Sequence, residues 1–241
     1  MTDPHGNEPV EFDDATAEAL ISALSTTASS VESQSGPRSS YKTTGLAEFR
    51  GHFAELFDQN GTTAAIGARD LVSTMRTVSG WVQTMQAAAK RENDRRRRAR
   101  EFDERQANRN LVERWHDDWF GGEKAPTEQA EPKPTFSDPT VSVGSRQTPN
   151  PGSGGGGGGG TSSAKPEDLR SFATGSSQLN ADLSGKPGAL RGKFEDFAAK
   201  CHWGTISSSG LVSGFEKWLS DNDQDVTWAN TVADAFAAAG G

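Results

Sequence analysis

Apolar side chains recur at steps of three and four residues over two long stretches of this chain. This spacing places them on one face of an α-helix. Only 32% of the 241 residues are hydrophobic. That fraction suffices for long helices that each bury one stripe, but it leaves little material for the deep core of a globular enzyme. The pattern therefore predicts an all-α protein built from elongated helices.

The first stretch opens with a short, well-delimited helix. Asp13 or Asp14 suits the N-cap position, and a stripe at three-four spacing follows as far as Ser33. The residues of this stripe are Ala17, Leu20, Leu24, Ala28 and Val31. We expect a disordered polar tail over residues 1–12, and the glycines and proline of residues 36–45 predict a loop after the helix.

A second and much longer helix begins near Leu46. Asn60-Gly61 is the one unfavourable position in this helix, because glycine lowers helix stability by roughly 1 kcal/mol relative to alanine. The pair predicts either a kink or a true break. The apolar stripe comprises Phe49, Phe53, Leu56 or Phe57, Ala64, Leu71, Met75, Val78, Val82, Met85 and Ala89.

The end of this first module, which spans residues 13–120, is highly charged. Residues 90–114 carry ten basic and six acidic side chains, a mixture typical of a solvated helix with i,i+4 ion pairs such as Glu92 with Arg96. The alternative is an anion-binding patch at Arg95–Arg98, against which the acidic neighbours argue. Trp115 and Trp119 then form either an exposed docking patch or a pair that packs on the first helix.

Residues 121–165 have the composition of a disordered linker. Proline, glycine, serine and threonine dominate, and few apolar residues are present to offset the entropy of ordering. The unbroken glycine run Gly154–Gly160 predicts a flexible tether, either natural or an engineered fusion.

The second module, residues 166–241, has the pattern of a helical hairpin. Pro166 suits the first position of a helix. The sequence GKPG at residues 185–188 predicts a bend or break in the first arm, and CHWGTISSSG at residues 201–210 predicts the turn between the two arms. A polar interruption, SDNDQD, divides the second arm. The apolar positions are Leu169, Phe172, Leu179, Leu183, Leu190, Phe194, Phe197 and Cys201 in the first arm, and Leu211, Phe215, Trp218, Leu219, Val226, Ala229, Val232 and Phe236 in the second.

Residues suited to enzymatic chemistry are scattered. The four histidines and the single cysteine, Cys201, form neither a metal-ligand pattern nor a nucleophile with a base and an orienting group. The glycine run lacks the Lys-Ser/Thr pair of a phosphate-binding loop. His116 with two following aspartates supplies too few ligands for a metal site. We therefore predict a non-enzymatic protein without a cofactor or bound metal.

The charge distribution and the hydropathy pattern limit the partners. There are 15 Lys/Arg against 19 Asp/Glu up to Phe120 and 6 against 10 from Pro166 onward, so each module is acidic and nucleic acid is not the expected partner. No run of 18 apolar residues and no secretory signal pattern occur, which predicts a chain that neither spans a membrane nor uses the general secretory pathway.

Two resemblances give this helical pattern a functional meaning. The arm, Trp203-Gly204 turn and second arm of residues 166–241 resemble the WXG family of ESX-like hairpins, which are substrates of type VII secretion. The tryptophan here is followed directly by glycine, whereas the family has an intervening residue. The segment from Phe49 to Arg100 is similar to N-terminal targeting modules of actinobacterial polymorphic toxins.

The resemblance implies a substrate or adaptor made in the cytoplasm and exported by type VII machinery, with a possible toxin effector as cargo. Its partner is a helical hairpin, either the chain's own second module or a small WXG-like protein, paired as a four-helix bundle. The alternative is a cytosolic helical scaffold or chaperone. The expected partner-binding residues are Phe194, Phe197, Trp203, Gly204, Phe215, Trp218, Trp115 and Trp119.

Overall fold

The structure, a computed structural model, describes residues 8–108, 128–151 and 162–239. Within these residues the regular elements are helices, and the prediction of an all-helical chain is confirmed. They are α1 (Asp14–Ser33), α2 (Ser35–Leu46), α3 (His52–Ala107), α4 (Pro166–Leu183), α5 (Lys186–Lys200) and α6 (Ser209–Ala238). None of them is long and apolar enough to cross a membrane.

Local sequence explains most of these boundaries. Asp13 caps α1, because its carboxylate accepts the backbone N–H of Thr16 at 2.7 Å, and the predicted first helix is confirmed. Pro166 starts α4, and Pro187 lies in the first turn of α5, where a missing N–H is harmless. The pair Asn60-Gly61 lies inside α3, which neither breaks nor ends there.

The loop expected over residues 36–45 is helical instead. Gln34 has right-handed helical torsion angles, so α2 follows α1 almost without interruption. Pro37 is tolerated because it lies in the first turn of α2. Tyr41 therefore lies on a helix, where its ring contacts the glycine at position 175 of α4.

The helices form four antiparallel rods. Rod 1 is α1 with α2, rod 2 is α3, rod 3 is α4 with α5, and rod 4 is α6. Rod 1 packs on rods 2 and 3, and rod 4 also packs on rods 2 and 3. The opposite directions of rods 1 and 2 follow from the ion pairs Lys42–Asp58 and Glu32–Arg76, and those of rods 3 and 4 from Arg170–Asp234 and Arg191–Glu216. Rods 1 and 2 are here called the first hairpin and rods 3 and 4 the second hairpin, and each rod of one contacts a rod of the other.

The largest core cluster draws on all four rods. Leu20 and Leu24 of α1, Met75 and Met85 of α3, and Phe215 of α6 have no exposed area. A second cluster fills the opposite end of the bundle around Phe57 and Trp228. The apolar stripes of both hairpins therefore bury each other within one chain.

The described part of the expected disordered linker differs from that expectation. Residues 128–151, here called the strap, have no helix or strand and contact both α3 and α6. Val143 of the strap is buried in the main core, and the N–H of Ser142 donates to Asp70 at 2.6 Å. Helix side chains form hydrogen bonds with several backbone groups of the strap, and these contacts cannot be inferred from the strap's own composition. The glycine run Gly154–Gly160 lies outside the described residues.

Part of the expected disordered tail is also packed. Val10 donates its N–H to Asn93 at 2.7 Å, and Phe12 makes an edge-to-face contact with Phe197 at 6.0 Å between ring centroids. Residues 8–12 thus cover the end of the bundle beside Trp203. The apolar side chains of Val10 and Phe12 stabilise this segment, whose composition is otherwise polar.

Candidate interaction surfaces and a cavity

The Trp203-Gly204 turn closes the end of the bundle. Trp203 is buried against Ala88 and Ala89 of α3, and the Arg96 guanidinium lies over its ring at 5.6 Å. The side chain of Trp203 therefore packs the turn of the second hairpin against the first hairpin. Its indole N–H has no hydrogen-bond partner among the described residues.

Gly204 is required for close packing rather than for an unusual backbone conformation. A Cβ at this position would overlap the sulfur of Met85. Within the described residues, positive φ occurs only at Gly51 and Gly144, so the backbone of Gly204 does not lie in the left-handed region that favours glycine. The close approach of two hairpins is a constraint that local turn chemistry does not reveal.

Four further predicted partner-binding residues lie in the interior of the bundle. Phe194 and Phe197 of α5 and Phe215 and Trp218 of α6 are buried in the core shared by the two hairpins, and the Trp218 indole N–H donates to the carbonyl of Ala64 on α3 at 2.9 Å. These residues hold the chain's own hairpins together. Trp115, Trp119 and His116 lie outside the described residues.

The charged end of α3 forms an internal ion network. Glu92 has no exposed area and accepts hydrogen bonds from Arg95 and Arg96 at 2.7 Å each. The hydrogen bond from Arg95 lowers the pKa of Glu92 to about 2, and those from Arg96 and the Glu131 backbone act in the same direction. The predicted ion pair Glu92–Arg96 is present, and two arginines of the basic run, Arg95 and Arg96, bind the Glu92 carboxylate.

Cys201 and His202 do not form a nucleophile pair. Burial raises the pKa of the Cys201 thiol, which donates to the carbonyl of Asp13. The His202 ring instead contacts the Glu11 carboxylate at 2.5 Å. Among the described residues, no group of three potential metal ligands comes together.

Sequence reasoning missed a polar layer in the middle of the bundle. Asp225 of α6 accepts from Asn60 of α3 and from Arg146 of the strap, both at 2.9 Å. Arg146 is 2% exposed and also donates to Asn222 at 3.2 Å. Burial raises the pKa of Asp225 to about 6, although Arg146 and the hydrogen bond from Asn60 oppose the increase.

Arg38 of α2 forms the other side of this polar layer. It donates to Gln34 and to Asn180 of α4 at 2.8 Å each, and its guanidinium lies 4.9 Å above the Trp218 ring. Burial lowers the pKa of Arg38 to about 10, against the opposing influence of Asp223. A cation is therefore held between the two hairpins.

The sequence does contain a pattern that indicates the polar layer. Asn60, Asn180, Asn222 and Asp225 each fall at three-four spacing on an otherwise apolar stripe. Polar residues at such positions are expected to be buried and hydrogen-bonded. The stretch SDNDQD thus places three buried polar residues, Asp221, Asn222 and Asp225, within a continuous helix, and it does not interrupt the arm.

A cavity of about 870 Å³ opens between α2 and α3 and reaches the polar layer. Its walls include Arg38, Phe57 and Val72, and its floor includes Ser176 and Asn222 from the other hairpin. Most of the lining is apolar. A deep, mostly apolar cavity with a few converging polar groups is the usual form of a small-molecule site.

The strap covers glycines of α6, and this contact gives a testable expectation. A Cβ at Gly210 would overlap the Pro139 carbonyl, and a Cβ at Gly214 would lie 2.6 Å from the Cβ of Val141. Replacing both glycines with alanine should weaken strap packing by about 1–3 kcal/mol. We therefore expect trypsin to cleave after Arg146 about tenfold faster or more.

Gly188→Ala with Gly192→Ala provides the matched control for this measurement. Both glycines lie in α5, and an added Cβ would meet nothing within 4 Å. This pair gains similar helix propensity without touching the strap. Equal cleavage rates after Arg146 in the two double variants would contradict the packed strap.

Comparison of the chain with protein-family models, with curated proteins and with solved structures finds no match in any of the three.

Proposed function

We propose that this chain is a non-enzymatic interaction module of the type VII secretion kind, in which two WXG-like hairpins are paired within one polypeptide. The observation that carries the proposal is the core shared by all four rods. A lone hairpin leaves one side of each apolar stripe uncovered, and pairing with a second hairpin covers it. Here the chain supplies its own second hairpin.

Self-pairing changes which partner the module requires. Phe197 and Phe215 are already buried against the chain's own helices, so a small separate WXG-like protein is not needed to complete the bundle. The remaining partners are the export machinery and, by resemblance to toxin-targeting modules, an effector domain carried as cargo. The module is made in the cytoplasm and leaves the cell as a folded bundle.

Export by a type VII system is the direct test. The tagged chain is expressed in an actinobacterial host with an intact system and in the same host with its export ATPase inactivated. We expect the chain in the culture supernatant of the first strain and only in the cells of the second. Immunoblots of both fractions, with a cytoplasmic marker to exclude lysis, provide the measurement.

Two variants link export to the paired bundle. Phe215→Asp places a charge in the shared core and should abolish export, whereas Ile66→Asp changes a residue that is 53% exposed and should leave export intact. Retention of the unaltered chain in both strains would contradict the proposal and favour a cytosolic scaffold or chaperone. Equal release from both strains would exclude the type VII route.

A further inference from the structure

The cavity between α2 and α3 has a shape that suits a slender ligand. Two ion pairs join its walls, Arg76 to Glu32 at 2.6 Å and Lys42 to Asp58 at 2.7 Å. Their positions on α3 are 18 residues apart, which corresponds to roughly 27 Å of helix. Between them the cavity extends from the surface to Phe172 and Asn222 of the opposite hairpin. The slot between the two ion pairs is therefore elongated along α3.

The chemistry of the lining divides into an apolar passage and a polar end. Phe57, Ala68, Val72, Phe172 and Trp228 contribute apolar surface. Arg38 lines the same cavity and extends inward far enough to lie over Trp218. This arrangement matches a molecule with an apolar body and a single polar head group.

The charges at the cavity favour an anionic head group. Its carboxylates already have cationic partners, since Glu32 pairs with Arg76 and Asp225 with Arg146. Arg38 and Arg69 also line the cavity, and neither forms an ion pair with any described residue. Arg38 donates only to neutral amide oxygens, those of Gln34 and Asn180. Asp223 acts on Arg38 only at longer range, without an ion pair, and a partly desolvated guanidinium of this kind gains strongly from a carboxylate in direct contact.

The floor has an unused hydrogen-bond donor as well. Asn222 is buried, and its side-chain NH₂ group has no hydrogen-bond partner among the described residues. An unsatisfied buried donor is costly, so an acceptor atom delivered to the floor of the cavity would remove that cost.

We propose that this cavity binds the anion of a medium- or long-chain aliphatic carboxylic acid, with the carboxylate at Arg38 and the chain along Phe57, Ala68, Val72 and Phe172. Binding is reversible and involves no covalent step. The proposal goes beyond export and does not depend on it, because the cavity belongs to the bundle itself. Each methylene group that enters the cavity adds to the affinity through burial of apolar surface.

Isothermal titration calorimetry of the intact chain with dodecanoate, below its micelle concentration, tests this proposal. We expect saturable binding of one molecule per chain, with the helical circular dichroism unchanged. Dodecanol, which has the same chain without the charge, and acetate, which has the charge without the chain, should each bind at least about tenfold more weakly. Binding of dodecanol as tight as that of dodecanoate would overturn the assignment of an anionic head group.

Two pairs of variants locate the site. Ala65→Trp fills the exposed rim of the cavity and should abolish binding, whereas Ile66→Trp adds the same ring on a neighbouring exposed position outside the lining and should not change it. Arg38→Gln should weaken dodecanoate at least about tenfold and leave dodecanol unchanged, and Arg38→Lys should restore part of the loss. Equal affinity of the two tryptophan variants, or no saturable binding by the unaltered chain, would overturn the proposal.

Discussion

Replacing Phe215 with aspartate should abolish the cooperative unfolding transition of the whole chain. Phe215 has no exposed area and lies in the core cluster to which both hairpins contribute. Removing the ring alone costs about 3–5 kcal/mol, and a carboxylate without a partner adds a further desolvation cost. The sum is comparable to the total stability of a typical domain.

Thermal unfolding followed by circular dichroism provides the measurement, and Ile66→Asp is the matched control. It introduces the same charge on a helix of the same bundle, at a side chain that is 53% exposed, so its effect should stay within about 0.5 kcal/mol. If the second hairpin folded independently of the first, Phe215→Asp would unfold only part of the helical signal. A residual cooperative transition from rods 1 and 2 would therefore contradict the shared core.

Replacing Arg146 with methionine should destabilise the chain by about 3–5 kcal/mol at neutral pH, because it leaves the buried Asp225 carboxylate without its cationic partner. The substitution also removes the donors to Asn222 and to the Val143 carbonyl. Urea unfolding at a series of pH values provides the measurement.

The effect of Arg146→Met should depend on pH with a definite sign. The folded-state pKa of Asp225 is already raised to about 6 by burial, and loss of Arg146 raises it further. Protonated Asp225 is therefore favoured in the folded state, and ionisation of this residue costs stability as pH rises from about 4 to 6 and above. The difference between the unaltered chain and Arg146→Met should shrink as pH falls from 7 to 4.

Asp225→Asn supplies the control for this interaction. In that background no carboxylate remains to be left unpaired, so Arg146→Met should cost clearly less, and its cost should not change over this pH range. The two single variants and the double variant form a thermodynamic cycle that isolates the pair. A coupling energy near zero at pH 7 would contradict the role of Arg146 as the partner of Asp225.

The helices were predictable because their determinants are local. An aspartate cap at position 13 or 14 and the three-four stripe predict α1, and the stripes of α3 and α6 contain many of the core residues. Local rules also explain the error at α2, since glycine and proline usually favour a loop. Pro37 is compatible with a helix only because it falls in the first turn of α2, a position that cannot be recognised until the boundary is known.

The mutual burial of the two hairpins, the order of the strap and the polar layer depend on tertiary structure. Periodicity shows that a stripe must be covered, but the covering surface can come from the same chain or from another. The strap lacks the apolar residues to order itself, and it is held by Asn60, Asp70 and Asp225, which lie far from it in sequence.

The sequence by itself therefore determined the helices other than α2, together with their buried faces, because capping and periodicity act over a few residues. Tertiary structure alone decided what covers each face and which polar groups meet inside, because those contacts join residues as far apart as Asn60 and Asp225.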